Sequence, residues 1–254
     1  MHEKIFFKNR TGDKLSGIIS NPSNSTEKPI ILLIHGLFSS KESTTYTSFE
    51  KAFNHIGFST LRIDAYGHGE SEGKLEDFTI TEMKEDLLQA LEFLKKKGYH
   101  KIGLVGSSSG GIAIILAAAE SRNLYVLILI APVSVHNGQL ILHKKKNITK
   151  AMWKEKGFII YPLKNGSKVK LGYQFLKDDD NYDGFQAARK IKIPTFIIHG
   201  DKDDSVPLKD SRKLASLLPK SILKIVKGAD HYFSDSTHFA LRQKMIVAFI
   251  RKNS

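Results

Sequence analysis

The sequence predicts a doubly wound α/β fold on a mostly parallel sheet. Three observations predict it. Unbroken apolar, β-branched runs recur along the chain: KPIILLIHG, GFSTLRIDAYGHG, KIGLVG, LYVLILIAP, IPTFIIHG and the shorter SILKIVKG. Such runs suit strands buried on both faces, whereas a half-exposed strand would alternate apolar and polar residues. Helical stretches lie between the runs, and the alternation is broken only once.

Each element has its own local signal. KIFFKN and KLSGIIS read as two short strands, expected as an antiparallel hairpin at the sheet edge. The next two runs end at Gly36 and near Asp64. From Thr79, TITEMKEDLLQALEFLKKKG places Ile80, Met83, Leu87, Leu91 and Leu94 on one helical face, with Thr79 and Glu82 as a capping pair and Gly98 as the stop. Gly110 to Glu120 is rich in Ala and Ile, a helix able to pack closely on the sheet, and a last helix is expected from about Ser236 to Arg251. The break in alternation spans residues 134–189. Within it, Asn165-Gly166 sits between two alternating runs, which signals a β-hairpin. The sheet resumes at Ile193, so the chain reads as one domain over 1–254 with an inserted subdomain at 134–189.

Composition narrows the class. Hydrophobic residues make up 41% of the chain, enough for a sizeable core, and there is no cysteine for disulfides or thiolate metal sites. The N-terminal MHEKIFFKNRTGDKLSG lacks the apolar run of a signal peptide, and LYVLILIAP is far shorter than a membrane span of about 20 residues. A soluble, cytoplasmic protein without stable membrane insertion is expected. The net charge of +13 raises the question of nucleic acid, but it is concentrated. Between Ser134 and Lys170 lie nine lysines and one acid, Glu155, giving +8 in that stretch. No zinc-finger, RNP or basic-helix motif accompanies it, so nucleic acid is not expected as a partner. The basic stretch is either a solvated surface or a field for an anionic substrate or carrier. A homodimer is compatible with the sequence, which does not fix the oligomeric state.

The chemistry centres on GSSSG, residues 106–110, which follows a buried run and opens a helix. A sharp strand-to-helix turn can lift one serine above the sheet, provided the residues two before and two after it are small. Ser107 would need Val105 in that position, which is too large. Ser109 would have Ser107 and Gly111, possible but poorer. Ser108 is flanked by Gly106 and Gly110 and is the candidate nucleophile, with Ser107 and Ser109 filling the turn. A serine hydroxyl needs a base, and the base an orienting acid. DKDDSVP, with acids at 201, 203 and 204, and ADHYF, with His231, follow later strands in the order serine, acid, histidine.

On HGLFSS, DAYGHGESEG, GSSSGG, HGDKDDSVP and GADHYF, which span residues 35–233, the chain resembles the α/β-hydrolases of the serine esterase, lipase and aminopeptidase-like group. It is most similar to the bacterial cinnamoyl (feruloyl) esterases. The resemblance implies an α/β-hydrolase fold, with the insert at 134–189 as its lid. It implies a triad of Ser108, Asp203 and His231, leaving Asp201 and Asp204 to the loop. It also implies an oxyanion hole formed by the backbone amides of Leu37 and Ser109. His35 is then structural, and His68 in the Gly67–Gly69 loop is not a metal ligand. No metal or organic cofactor is implied. Those esterases typically carry Gly-His-Ser-Gln-Gly-Gly at the turn and Phe after the first His-Gly. Here Ser107, Ser109 and Leu37 stand instead, which leaves main-chain donation intact and alters the pocket. The implied function is a serine carboxylesterase for small to medium esters, including aromatic acyl esters such as cinnamoyl esters. An acyl thioesterase or monoacylglycerol lipase-like hydrolase with the same triad is the alternative, and a non-catalytic hydrolase-like binding module is a third reading.

Overall fold

The computed structural model describes residues 1–135, 137–144, 147–163 and 166–254. β1 (His2–Lys8) and β2 (Lys14–Ser20) form the N-terminal antiparallel hairpin, paired from His2 with Ser20 to Lys8 with Lys14. Strands and helices then alternate: β3 (Ile30–Ile34), α1 (Thr44–His55), β4 (Ser59–Ile63), α2 (Ile80–Lys96), β5 (Ile102–Ser107), α3 (Ser109–Glu120) and β6 (Leu124–Ile130). Between β6 and the next sheet strand come α4 (Asn137–Lys144), α5 (Lys150–Lys156), β7 (Phe158–Pro162), β8 (Lys168–Gly172), α6 (Tyr173–Lys177) and α7 (Gly184–Ala188). β9 (Thr195–Gly200), α8 (Leu208–Leu217), β10 (Ser221–Val226) and α9 (Ser236–Lys252) complete the chain.

The main sheet has the order β1-β2-β4-β3-β5-β6-β9-β10, parallel from β4 to β10, with β2 antiparallel to β4. This is the α/β-hydrolase fold. Every residue of β3 and β4 is buried, which explains runs that do not alternate. Successive side chains still point to opposite faces. Leu32, Ile34, Leu104 and Leu127 pack with Leu87 and Leu91 of α2 and Ile112 and Ile115 of α3. Ile31, Leu33, Val105 and Ile128 pack with Tyr46, Phe49 and Phe53 of α1 and with Ile246 and Ile250 of α9. Each such side chain contributes roughly 1.5–3 kcal/mol of burial.

Local signals carry the helix ends. Thr79 Oγ1 accepts from Glu82 N at 3.0 Å at the start of α2, and Gly98 beyond its end has a φ of +89°. Two helices have weaker signals. α1 opens with Thr-Thr, poor helix formers, yet buries Tyr46, Phe49 and Phe53 along one face. α8 is short and buries only Ser211 and Leu214. β7 and β8 pair antiparallel as a separate two-stranded sheet, from Phe158 with Gly172 to Pro162 with Lys168. Gly166 in the turn has a φ of +84°, while Lys164 and Asn165 lie outside the described residues, as do Lys145 and Lys146 of the basic run.

Candidate active site

Ser108 sits where β5 turns into α3, with φ 53° and ψ −120°, a conformation a side chain rarely adopts. The turn is held by its backbone. Ser108 N donates to Ile130 O at 3.0 Å, while Gly111 N and Val133 N donate to Ser108 O at 2.9 and 3.0 Å. The flanking glycines are needed for space: a Cβ on Gly106 would lie 2.5 Å from Gly110 O, and one on Gly110 would lie 2.5 Å from His35 O. Ser107 is not filler. Its hydroxyl shares a 2.5 Å hydrogen bond with Tyr46 of α1, so the side chain ties the turn to that helix. Ser109 is buried as the first residue of α3.

Asp203 and His231 come from the loops after β9 and β10. His231 Nδ1 donates to Asp203 Oδ2 at 2.7 Å. The other carboxylate oxygen, Oδ1, accepts from Ser205 N and Val206 N, both at 2.8 Å. A further residue was not singled out by the sequence motifs. His199, the last but one residue of β9, is fully buried, with Nε2 3.0 Å from Asp203 Oδ2 and 3.2 Å from Val206 O. Its Nδ1 lies 2.7 Å from Ser211 Oγ, which can donate to it and leave the Nε2 proton for Asp203. Burial by itself raises the Asp203 pKa. Hydrogen bonds from His199 and His231 outweigh that and hold the carboxyl well below the usual carboxylate range. Of the neighbouring acids, Asp201 accepts from Gly228 N at 2.6 Å and Asp204 accepts from Ser205 Oγ at 2.8 Å. Both are contacts made within the loops after β9 and β10.

Ser108, Ser109, Leu37 and His231 line one cleft of about 90 Å³. Apolar side chains supply part of its wall, Leu37 and Phe38 after β3, Val133 after β6, Leu140 and Ile141 of α4, Tyr161 of β7, and Val206, and Ser205 and Tyr232 add polar groups. Phe38 and Tyr161, both in its wall, stack directly on each other with ring centroids 4.4 Å apart. His35 lies behind the loop that carries Leu37. Its Nε2 accepts from Ala65 N at 3.1 Å, so Nδ1 carries the proton and donates to Gly36 O at 2.8 Å. Burial lowers its pKa and keeps it neutral. His68 packs on His35 and Phe78, and burial, reinforced by the nearby His35, pulls its pKa down to about 3. Among the described residues no group of three or more His, Cys, Asp or Glu side chains is placed to hold a metal ion. No helix among them is long and apolar enough to cross a membrane.

Fold and cleft together define a hydrolase of the α/β class. The family model for serine aminopeptidase, S33, matches residues 25–171, more than half of the chain, and the chain belongs to that family. The match contains the Ser108 turn and stops before Asp203 and His231. The chain is 26% identical to the mitochondrial palmitoyl-protein thioesterase ABHD10 of Bos taurus, with 85% of this chain and 71% of that protein covered. It superposes on Est1E of Butyrivibrio proteoclasticus with ferulic acid bound at a TM-score of 0.82, 26% identity and 98% of both chains covered. Mouse α/β hydrolase domain-containing protein 10 matches at a TM-score of 0.81, 23% identity, and 99% and 100% of the two chains. The chain is thus an enzyme of the serine-hydrolase type that hydrolyses ester bonds, and the non-catalytic reading falls away.

Proposed function

We propose that the protein is a carboxylesterase that works through an acyl-enzyme on Ser108. His231 takes the serine proton as Oγ attacks the ester carbonyl, and Asp203 fixes the tautomer that leaves Nε2 free to do so. The backbone amides of Leu37 and Ser109 receive the developing oxyanion, each contributing roughly 3 kcal/mol to lowering the barrier. His231 then returns the proton to the leaving alcohol. The alcohol departs, and a water deprotonated by the same imidazole releases the acid. The single observation that carries this reading is the 2.7 Å contact of His231 with Asp203, beside a strained Ser108 that lines the same cleft.

The substrate reading rests on the cleft walls. Phe38, Tyr161, Leu140 and Ile141 offer an apolar, partly aromatic surface suited to a small to medium acyl group such as a cinnamoyl group. Est1E, the relative solved with ferulic acid, supports that choice. Three of these residues belong to α4 and β7, which supports reading 134–189 as a lid that sets acyl preference. The experiment is a panel of p-nitrophenyl, cinnamoyl and thioester substrates. Cinnamoyl or short p-nitrophenyl esters turned over well above thioesters are expected. A preference for long-chain thioesters rejects the carboxylesterase assignment.

That outcome is the second reading, an acyl thioesterase, favoured by the thioesterase named among the curated relatives. It gives the basic segment a role, since an anionic carrier such as a coenzyme A ester would be steered there. Steering makes kcat/KM for the coenzyme A thioester fall steeply with salt while a neutral ester is indifferent, because the Debye length is only about 8 Å at physiological ionic strength. Replacing Lys144, Lys145 and Lys146 by Gln should then slow the thioester alone. Equal salt curves for both substrates reject steering.

A further inference from the structure

Ser108 and His231 have a second hollow on their other side. It encloses about 310 Å³, and hydroxyl groups form a large part of its wall, among them Ser43, Thr45, Tyr46 and Ser107, beside Leu37 and Ile130. Arg242, from the first turns of α9, reaches into it and is only 2% exposed. A buried guanidinium ordinarily faces a carboxylate, because an unpaired charge in the interior is costly. Arg242 has no such partner among the described residues. Its Nη2 makes one long hydrogen bond, 3.4 Å to Thr45 Oγ1, and its buried Nε makes none to those residues. The remaining neighbours are rings: its Cζ lies 4.5 Å from the centroid of Phe239, 5.0 Å from Phe233 and 5.5 Å from Phe49. Rings accommodate a cation but do not neutralise it. Tyr46 does not supply the anion either, since burial pushes its pKa up to about 12 and keeps the phenol protonated.

We propose that this hollow is a carboxylate subsite, in which Arg242 receives an acid group carried by the ester substrate. The inference rests on the esterase reading of Ser108 and adds the chemistry of the substrate's second half. One portion of the ester is apolar and fills the cleft of Phe38 and Tyr161. The other bears a carboxylate a few atoms from the scissile carbonyl. The charge count selects a carboxylate over a phosphate dianion. One guanidinium among neutral hydroxyls balances one negative charge, and its planar fork fits two carboxylate oxygens. The surrounding Ser, Thr and Tyr hydroxyls can donate to the same oxygens.

The test uses the full chain with Arg242→Met, which keeps the stem and removes the charge, and Arg242→Lys, which keeps the charge and loses the fork. kcat/KM is measured for two matched pairs that cover the two sides of an ester. One pair is p-nitrophenyl butyrate and mono-p-nitrophenyl succinate, and the other is phenyl acetate and 4-carboxyphenyl acetate. In at least one pair the preference for the carboxylate ester over the neutral one is expected to fall at least tenfold in Arg242→Met, through KM, with partial recovery in Arg242→Lys. Binding is read separately, by calorimetry of monomethyl succinate with Ser108→Ala, alone and combined with Arg242→Met. The added substitution should abolish the heat. Failure of every ester to turn over would strike the esterase reading alone, since the calorimetry still decides the subsite. Equal losses within both pairs, or unchanged binding of monomethyl succinate, would make Arg242 a packing residue and overturn the proposal. Tighter binding of methyl phosphate would overturn the choice of carboxylate.

Discussion

Replacing Asp203 by Asn tests the proposed triad most sharply, because the surrounding hydrogen bonds dictate how the new side chain must sit. Oδ1 of Asp203 accepts from two backbone amides, Ser205 N and Val206 N, both at 2.8 Å. An asparagine satisfies them only with its carbonyl oxygen in that place. Its amide nitrogen then replaces Oδ2 and points N–H groups at His231 Nδ1, 2.7 Å away, and at His199 Nε2, 3.0 Å away. His199 can adapt, because Ser211 Oγ on its other side can turn from donor to acceptor. His231 cannot adapt without loss. Its Nδ1 must become the acceptor, so the proton moves to Nε2, the nitrogen that has to receive the serine proton. The carboxylate that would stabilise the imidazolium is also gone. A wrong tautomer in such a triad lowers kcat by about ten-thousand-fold, which is roughly 5 kcal/mol of barrier at 1.36 kcal/mol per decade. The assay is initial-rate hydrolysis of a short p-nitrophenyl ester, with circular dichroism to show that the variant is folded. Asp204→Asn is the control. Asp204 meets the Ser205 hydroxyl, and its loss should change kcat little. An Asp203→Asn enzyme within tenfold of the unmodified one, or a larger loss in Asp204→Asn, would refute the assignment of the acid.

Ser108→Ala should abolish ester hydrolysis while Ser109→Ala keeps most of it, because only the main chain of Ser109 is assigned a role. A fluorophosphonate adduct mapped by mass spectrometry to Ser107 or Ser109 would overturn that choice. Asp86 in α2 supplies a pH dependence. It is buried, its Oδ2 accepts from Tyr66 N at 2.8 Å, and burial pushes its pKa up to about 7. The folded state therefore holds a proton that the unfolded state releases near pH 4, and Asp86 lowers stability as pH rises from about 4 to 7, by on the order of 1 kcal/mol per pH unit, levelling above 7. Denaturant unfolding of Asp86→Asn against the unmodified chain should give a stability difference that grows in the variant's favour over that window. A difference that is flat with pH would contradict the raised pKa.

What could be read in the sequence depended on whether the signal was local. The Ser108 turn needs small residues at fixed offsets and follows a buried run, so spacing sets Ser107 aside and favours Ser108 over Ser109 as the candidate. Asp203 and His231 lie 28 positions apart, but each follows a strand, and strand runs are legible when both faces are buried. Choosing Asp203 from three nearby acids needed more than spacing. In the structure the distinction is in the contacts: Asp203 meets two imidazoles, whereas Asp201 and Asp204 meet a backbone amide and a serine hydroxyl. Tyr46, His199 and Arg242 were not legible. Tyr46 lies on a helix with a weak start, and its partner Ser107 is 61 positions away. Arg242 belongs to a helix whose sequence reads as ordinary packing, and only the fold brings it beside the loops after β3 and β5. The lysines of the insert were legible as charge, but nothing in a count of charges says what they face.

The same contrast explains where the backbone is strained. Among the described residues, the non-glycine positions with positive φ are Asn24, Phe38, Ser108, Ala131 and Phe233. All but Asn24 lie where the chain leaves the C-terminal ends of β3, β5, β6 and β10. Phe38 follows Leu37, whose amide is assigned to the oxyanion. Ser108 is the candidate nucleophile, and its amide donates to Ile130 O, immediately before Ala131. Phe233 lies two residues beyond His231. Each such conformation costs roughly 1–3 kcal/mol and persists only where surrounding packing over-determines it. Ala131 and Phe233 are fully or almost fully buried, and Ala131 N is held by Ile198 O at 2.8 Å, so the neighbouring strands supply that packing. Parallel strands all end on the same side, and the loops that leave them must turn away at once. A strained turn at one strand end can thus be braced by the next, as Ser108 is braced through Ile130 and Val133. That bracing fixes the backbone of Ser108, the proposed nucleophile. It is the condition for charge to develop during the reaction without the surrounding groups having to reorganise.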